Sequence, residues 1–270
     1  MLSIMYWNIG NNDLTVNVAR LARTYNLDII ILDESQIAPG SLLFEINSPR
    51  AVYEHVPQLG CDRFYLFVRF PKAHISTRFE ADRMSIHEVQ IPGRLAFLLS
   101  IVHLPAKQNS SSSSQAMDCV RYADWITQTE IATKHKRTVL VGDLNMNPFE
   151  DGMVAASGFH ATMCRSIANT RSRTVRGRRY EFFYNPMWSL LGDYPQGPPG
   201  THYYKRSDTV ELFWNMYDQV LIRPELISCF DNSSLKILTT DGIDSLISSK
   251  GIPLKERLSD HLPIIFSLNI

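Results

Sequence analysis

Asp143 and Asn145 stand two apart behind Val139-Leu140-Val141-Gly142, an aliphatic run that stops at a glycine. The run reads as a buried strand ending at a turn, and a spacing of two on extended chain sends an acid and an amide to the same side. Pro148 closes the loop because it cannot donate to a further ladder, and Asn147-Pro148 is itself a turn signal. Other chemistry-bearing residues sit at junctions of the same kind: Trp7-Asn8, Leu32-Asp33-Glu34, His103-Leu104, Tyr217-Asp218 and Ser259-Asp260-His261. Asn8, Glu34 and Asp260 offer hard oxygen ligands of the kind Mg²⁺ or Mn²⁺ prefers. His261 is a side chain that could exchange a proton or meet an anion near neutral pH.

The elements that must position these residues follow from periodicity. Leu2 to Trp7 is strand-like and ends in the polar turn 8–12, after which Asp13 caps a helix with Leu14, Val18, Leu21 and Ala22 on one face. Asp28 to Leu32 is a continuous aliphatic run, the signature of a strand covered on both sides. Pro39 opens a short helix through Ile46. From Ala51 to about His103 four strands, 51–56, 64–70, 85–90 and 94–102, are joined by short connections, which predicts an antiparallel meander. Gln108-Asn109 and five serines read as a solvated spacer. An amphipathic helix is expected from Ala116 to about Lys134 through Met117, Val120, Ala123 or Tyr122, and Ile126, followed by a strand over 137–141. Strands return at 212–222, 236–239 and 264–268.

The chain has 270 residues, 44% of them apolar, with 27 basic and 27 acidic side chains. That describes a chain long enough for a large core and without a global pull toward polyanions or membranes. No apolar run is long enough to span a bilayer, and Trp7-Asn8 follows Met1 too closely for a targeting segment ahead of the first strand. Cys61, Cys119, Cys164 and Cys229 show neither zinc spacing nor the density of a disulfide scaffold, which fits reduced thiols and a cytoplasmic location. No internal repeat or linker divides the chain, so residues 1–270 read as one domain.

The six junctions, in this order and approximate spacing, resemble the endonuclease/exonuclease/phosphatase superfamily, the deoxyribonuclease I-like hydrolases, over the whole chain. The resemblance implies an α/β fold, a four-layer sandwich of two mixed sheets with helices outside and the active site at one edge. It implies Glu34 as the principal ligand of Mg²⁺ or Mn²⁺, with Asn8 and Asp260 beside it. Asp33 is the local competitor for that role, but the pattern places the acid at the last position of Leu-x-Glu. Asp143 and Asn145 are expected to position the attacking water and hold a phosphate oxygen. His261 is expected to contact the phosphate or act as general acid/base, with Asp218 fixing its tautomer. His103 argues against the abasic-site branch, and His55, His74, His87, His135, His160 and His202, which match no motif, are taken as surface or core residues.

Substrate class rests on Arg165, Arg171, Arg173, Arg176, Arg178 and Arg179. Residues 165–206 hold eight Lys or Arg against Glu181 and Asp193. With aromatic residues close behind, the segment could serve both phosphate charge and base stacking, which favours a nuclease with nucleic acid as substrate. The alternatives are a phosphatase or phosphodiesterase acting on inositol phosphates, lipid headgroups or small phosphorylated metabolites, where the same arginines clamp extra phosphates, and a binding module without catalysis. Retention of every motif residue argues against the last.

Overall fold

The computed structural model describes residues 1–50, 52–108, 110–193, 197–207 and 209–270. In chain order its strands are β1 (Leu2–Asn8), β2 (Ile29–Asp33), β3 (Glu54–Val56), β4 (Phe64–Val68), β5 (Ile75–Ala81), β6 (Met84–Val89), β7 (Phe97–His103), β8 (Thr138–Asp143) and β9 (Ala161–Thr162). They continue as β10 (Ser172–Val175), β11 (Arg178–Glu181), β12 (Phe183–Tyr184), β13 (His202–Tyr203), β14 (Trp214–Asn215), β15 (Asp218–Ile222), β16 (Phe230–Ile237) and β17 (Ile264–Leu268). The helices are α1 (Thr15–Thr24), α2 (Pro39–Ile46), α3 (Ser112–Thr133), α4 (Asp151–Val154) and α5 (Arg165–Ala168).

Two mixed sheets form, one in the order β16-β17-β1-β2-β4-β3 and the other β5-β6-β7-β8-β15-β12-β9. Alternation along the strands explains why they stack. Leu2, Ile4, Tyr6, Ile29 and Ile31 of the first sheet and Leu99, Ile101, Val139, Val141 and Val220 of the second share one buried cluster between the sheets. The opposite faces are covered from outside: Met5, Trp7, Ile30 and Leu32 by Val18, Leu21 and Leu42 of α1 and α2, and Leu98, Leu140 and Leu221 by Cys119, Tyr122 and Ile126 of α3. The layering is therefore α/β/β/α, as the resemblance implied.

The same parity places the site. Asn8, Asp33, His103, Asp143 and Asp218 each continue the inward-facing set of their strand to its end, where apolar residues give way to polar ones. Register brings these ends together: Asn8 is opposite Asp33, His103 opposite Asp143, and Asp143 opposite Asp218. β17 runs antiparallel to β1 with Ile264 opposite Tyr6, so the loop carrying Asp260 and His261 enters at the same edge. Gly142 permits the close pairing of β7 and β8, because a Cβ there would lie 1.8 Å from the Val102 carbonyl oxygen.

Several local expectations are corrected. The region 51–103 is not one meander: β3 and β4 pair in the first sheet, while β5, β6 and β7 form a meander in the second, and Ala51 lies outside the described residues. The serines are not a spacer, since Ser111 caps α3 by accepting from the Ser114 N–H at 3.2 Å and Ser112–Ser114 form its first turn; Asn109 lies outside the described residues. The face of α3 that is buried holds Gln115, Cys119, Tyr122, Ile126, Thr129 and Glu130, whereas Met117 and Val120 are exposed. The stretch 212–222 divides into β14 and β15, which belong to different sheets. Leu14, not Asp13, is the N-cap of α1, although the Asp13 carboxylate accepts from the Thr15 N–H at 3.1 Å.

Candidate active site

A cavity of about 560 Å³ opens at the shared edge and is lined by Asn8, Glu34, His103, Asp143, Asn145, Asp260 and His261. All but one of the metal and catalytic residues expected from the sequence thus face one space, and the remaining one, Asp218, lies directly behind His261. A groove of similar size between β5, β6 and α3, lined by Arg78, Glu88 and Trp125, holds none of them.

Asp218 Oδ2 lies 2.8 Å from His261 Nδ1, while His261 Nε2 points toward Asp143 Oδ2 at 3.9 Å. The Trp7 indole donates to the His261 carbonyl at 2.9 Å, and Ser259 donates to the Asn8 carbonyl at 2.7 Å, which pins the loop against β1. Burial disfavours a charged ring, but the carboxylates of Asp218, Asp143 and Asp260 outweigh it and push His261 up to about 10. These carboxylates favour the charged ring, and Asp218 faces its Nδ1.

The second histidine is held from the other sheet. His103 Nδ1 lies 2.7 Å from Asp33 Oδ2, and its Nε2 faces Glu34 Oε1 at 3.6 Å. Burial opposes its charge, yet the adjacent Asp33 carboxylate raises His103 above the ordinary imidazole value. Tyr6 is the bolt between the sheets: its hydroxyl donates to Asp33 Oδ2 at 2.5 Å and accepts from the Asp143 N–H at 2.9 Å. Burial first, then the surrounding Asp33, Asp143 and Asp218, keep that phenol protonated. The Asn8 amide donates to Asp143 Oδ2 at 3.2 Å.

Glu34, not Asp33, turns into the cavity. It adopts a left-handed φ of 50° just past β2, while Asp33 is wholly buried behind it. Burial pushes the Glu34 carboxyl above its ordinary value, and its nearest basic groups, His103 at 3.6 Å and Arg63 at 3.9 Å, stand outside hydrogen-bond distance. Asp260 is drawn down to about 2 by the His202 imidazole and then by the charge of His261. A half-buried carboxylate short of donors, in a cavity that the Asn8 amide and the Asp260 carboxylate also line, is of the chemistry a hard divalent cation takes. Asp143, Asp218 and His261 also bring ligand atoms within 4.8 Å of one another, as do His202, Asp260 and His261.

Asn145 does not continue the strand parity with Asp143. β8 ends at Asp143, and Asn145 sits in a turn with φ of 47°, its N–H donating to Asp143 Oδ1 at 2.9 Å and its amide to the Leu104 carbonyl at 2.9 Å. The turn still leaves both on the cavity wall.

The arginines are the main correction. Arg173, Arg178 and Arg179 lie on the hairpin β10–β11, Arg176 in its turn and Arg171 just before it, and that hairpin leads into β12. β12 joins β15 at Ile222, which pairs with Val139 near the start of β8, whereas Asp143 is at its end. Glu181 of the hairpin pairs with Lys136 just ahead of β8, Arg171 faces Glu225 at 3.9 Å, and Arg165 bonds the Ile227 carbonyl. The basic segment therefore hangs from the opposite end of the sheet, and none of these arginines lines the cavity. Among the described residues the lysine and arginine that do are Lys107, 2.5 Å from Glu150, and Arg206.

His202, set aside in the sequence as a surface or core residue, stands in the cavity wall: its ring centroid is 4.5 Å from that of His261, and its Nε2 is 3.7 Å from Asp260 Oδ2. Tyr6 and Tyr204 are further residues of the site that no motif singled out, while Asp33 and Tyr217 stood inside motifs, Asp33 as the competitor to Glu34 and Tyr217 without a role. The buried tyrosine of β1 carried a signal, because a phenol facing a core needs a partner. The two-residue β13 carried none.

A sequence profile of the Endonuclease/Exonuclease/phosphatase family matches residues 5–261. No curated protein matches the sequence. Among solved structures, TDP2 from D. rerio complexed with single strand DNA product shares 16% identity at a TM-score of 0.55, covering 100% of this chain and 99% of that one. An AP endonuclease from Archaeoglobus fulgidus shares 13% at 0.56, with 100% of both chains covered. The endonuclease domain of TRAS1, a telomere-specific non-LTR retrotransposon, shares 13% at 0.52, covering 99% and 97%. At these identities the likeness speaks for the fold.

Proposed function

Because the chain belongs to the Endonuclease/Exonuclease/phosphatase family, we propose that it is a divalent-metal-dependent phosphodiesterase, a nuclease cleaving DNA or RNA. The observation that carries this reading is the Asp218-oriented His261, aimed at Asp143 in a cavity that Glu34 also lines. Asp143 orients the attacking water through its cavity-facing carboxylate, and Asn145, with one amide hydrogen committed to Leu104, has the other for a phosphate oxygen. His261 presents a positively charged Nε2 to the phosphate and can donate its proton to the departing oxygen, while Asp218 holds the ring. His103, held by Asp33, offers a second donor to the phosphate. A Mg²⁺ or Mn²⁺ ion held by Glu34, Asn8 and Asp260 would neutralise the phosphate and stabilise the leaving oxygen.

Nucleic acid is the proposed substrate on two grounds: solved structures of like fold include a nuclease and a protein complexed with DNA, and aromatic rings line the cavity. The basic hairpin is not among them. All four cysteines are free, and no described helix is long and apolar enough to cross a membrane, which supports a cytoplasmic site of action. Residues 1–270 act as one domain in this reading.

The test is a panel of single-stranded DNA, duplex DNA, RNA and bis-phosphorylated small molecules, each with Mg²⁺, Mn²⁺ or chelator. Cleavage of nucleic acid that chelator abolishes and added metal restores is the expected result. Full activity in chelator, or turnover confined to the small phosphates, would overturn it.

A further inference from the structure

Three aromatic rings descend the cavity wall beside the catalytic histidine. His202 lies 5.2 Å from Tyr217 with planes 22° apart, and 6.3 Å from Tyr204 with planes 16° apart. These are offset, near-parallel arrangements, the geometry in which flat π-systems extend one another. His202 also touches His261, so the staircase begins one ring away from the phosphate site. Each tyrosine carries a cation: Lys107 lies 5.9 Å from the Tyr217 centroid and Arg206 4.7 Å from that of Tyr204. The rim beyond is apolar, with Val210 and Leu212 lining the cavity yet largely exposed. Flat rings, cations set on them and apolar rim side chains together match one ligand chemistry, a base attached to a phosphate.

We propose that the wall formed by Tyr204, His202 and Tyr217 stacks the unpaired base of the nucleotide next to the scissile phosphate, so that the enzyme acts on single-stranded nucleic acid. The proposal rests on the nuclease reading and narrows it. A base paired and stacked within a duplex has no face to offer this wall, whereas an unpaired base has one whatever its identity. With the arginine hairpin at the far end of the sheet, Lys107 and Arg206 are the lysine and arginine among the described residues lining the cavity. Recognition therefore depends on stacking near the cut more than on a long basic track.

The experiment compares the parent, Tyr204→Ala and Tyr204→Phe on an oligothymidylate, the same strand with a tetrahydrofuran abasic spacer at one position, the same strand in a duplex, and methyl p-nitrophenyl phosphate, a diester without a base. The quantity read is the ratio of kcat/KM values within each protein, which does not depend on the fraction folded. The parent should prefer the oligothymidylate over the base-free diester and the duplex, and cleave poorly beside the spacer. Tyr204→Ala should lower the preference for the base-bearing strand about tenfold or more, the scale of one lost base–aromatic stack, and Tyr204→Phe should keep it. Cleavage of nucleic acid with equal cutting beside the spacer, an unchanged ratio in Tyr204→Ala, or duplex cut as fast as single strand would overturn the stacking site while leaving the nuclease standing. Hydrolysis of the small diester with no cleavage of any nucleic acid would overturn the nuclease reading, and the stacking site with it.

Discussion

His103 of the second sheet and Asp33 of the first meet across the sandwich at 2.7 Å, Nδ1 to Oδ2, and the same carboxylate oxygen accepts from the Tyr6 hydroxyl. Adjacent acids on one strand end have thus divided their work. Asp33 is wholly buried and serves the interface between sheets, while Glu34 is half-buried and faces the cavity.

Asp33→Ala and Glu34→Gln should therefore fail differently. Removing Asp33 strands His103 and Tyr6 in a buried place, with an expected loss of about 3–5 kcal/mol in unfolding free energy, the scale of a broken buried ion pair. Glu34→Gln should leave stability near the parent value but weaken Mn²⁺ binding by about tenfold or more. Urea unfolding and calorimetric Mn²⁺ titration of both variants separate the two; a stable Asp33→Ala that has lost metal binding would reverse the assignment.

Asp218→Asn should fold normally and lower turnover by about 10²- to 10⁴-fold, the range carried by a positioned acid–base group. It removes the main charge holding His261 up near 10, so the pH limit of activity should move to lower pH. His261→Ala should cost at least as much, and the double variant no more than His261→Ala alone if the two act as a unit. Multiplying losses would place Asp218 outside that unit.

Replacing Arg171, Arg173, Arg176 and Arg178 together with Ala should leave turnover of a short oligonucleotide unchanged, because the hairpin lies beyond the opposite end of β8. The slope of log Kd against log salt should also stay the same for strands too short to reach from the cavity to that end. A slope shallower by about 0.7 for each arginine lost, measured on such a short strand, would show that these side chains reach the substrate after all.

His87 sets an acid limit on stability that is independent of the site. Burial pulls this imidazole from 6.5 to about 4, its Nδ1 lies 3.2 Å from the Thr77 hydroxyl, and its Nε2 is buried without a partner. Since the folded pKa is the lower one, the unfolded chain binds the extra proton between pH 6.5 and 4, and stability falls as pH falls through that window. The loss approaches about 3 kcal/mol at its foot. His87→Leu should flatten that dependence in urea melts at pH 7 and pH 5; an equal acid loss in the variant would assign it to other groups.

The six strand-end motifs are legible in the sequence because each is a buried run meeting a polar residue, a contrast that needs no knowledge of partners. The buried face of α3 is not, since Gln115, Thr129 and Glu130 look like solvent-facing residues until their partners are known. Glu130 is bonded to Arg223, 93 positions along the chain. The arginine cluster misleads for a similar reason. Its local charge is plain in the sequence, but the end of the sheet from which it hangs is decided by the pairing of β12 with Ile222. His202 escapes notice because two residues of strand have no period, and its place beside His261 comes from a single isolated bridge between them.

The phenol of Tyr6 makes the separation of the two sheets readable one amide at a time. The N–H of Asp143 belongs to one sheet and the hydroxyl it donates to belongs to the other. Deuterium reaches that nitrogen when this bond between the sheets opens at the cavity edge, so its exchange rate is a gauge of how often the cavity loses its shape. Slow exchange there means that substrates meet a cleft of fixed width.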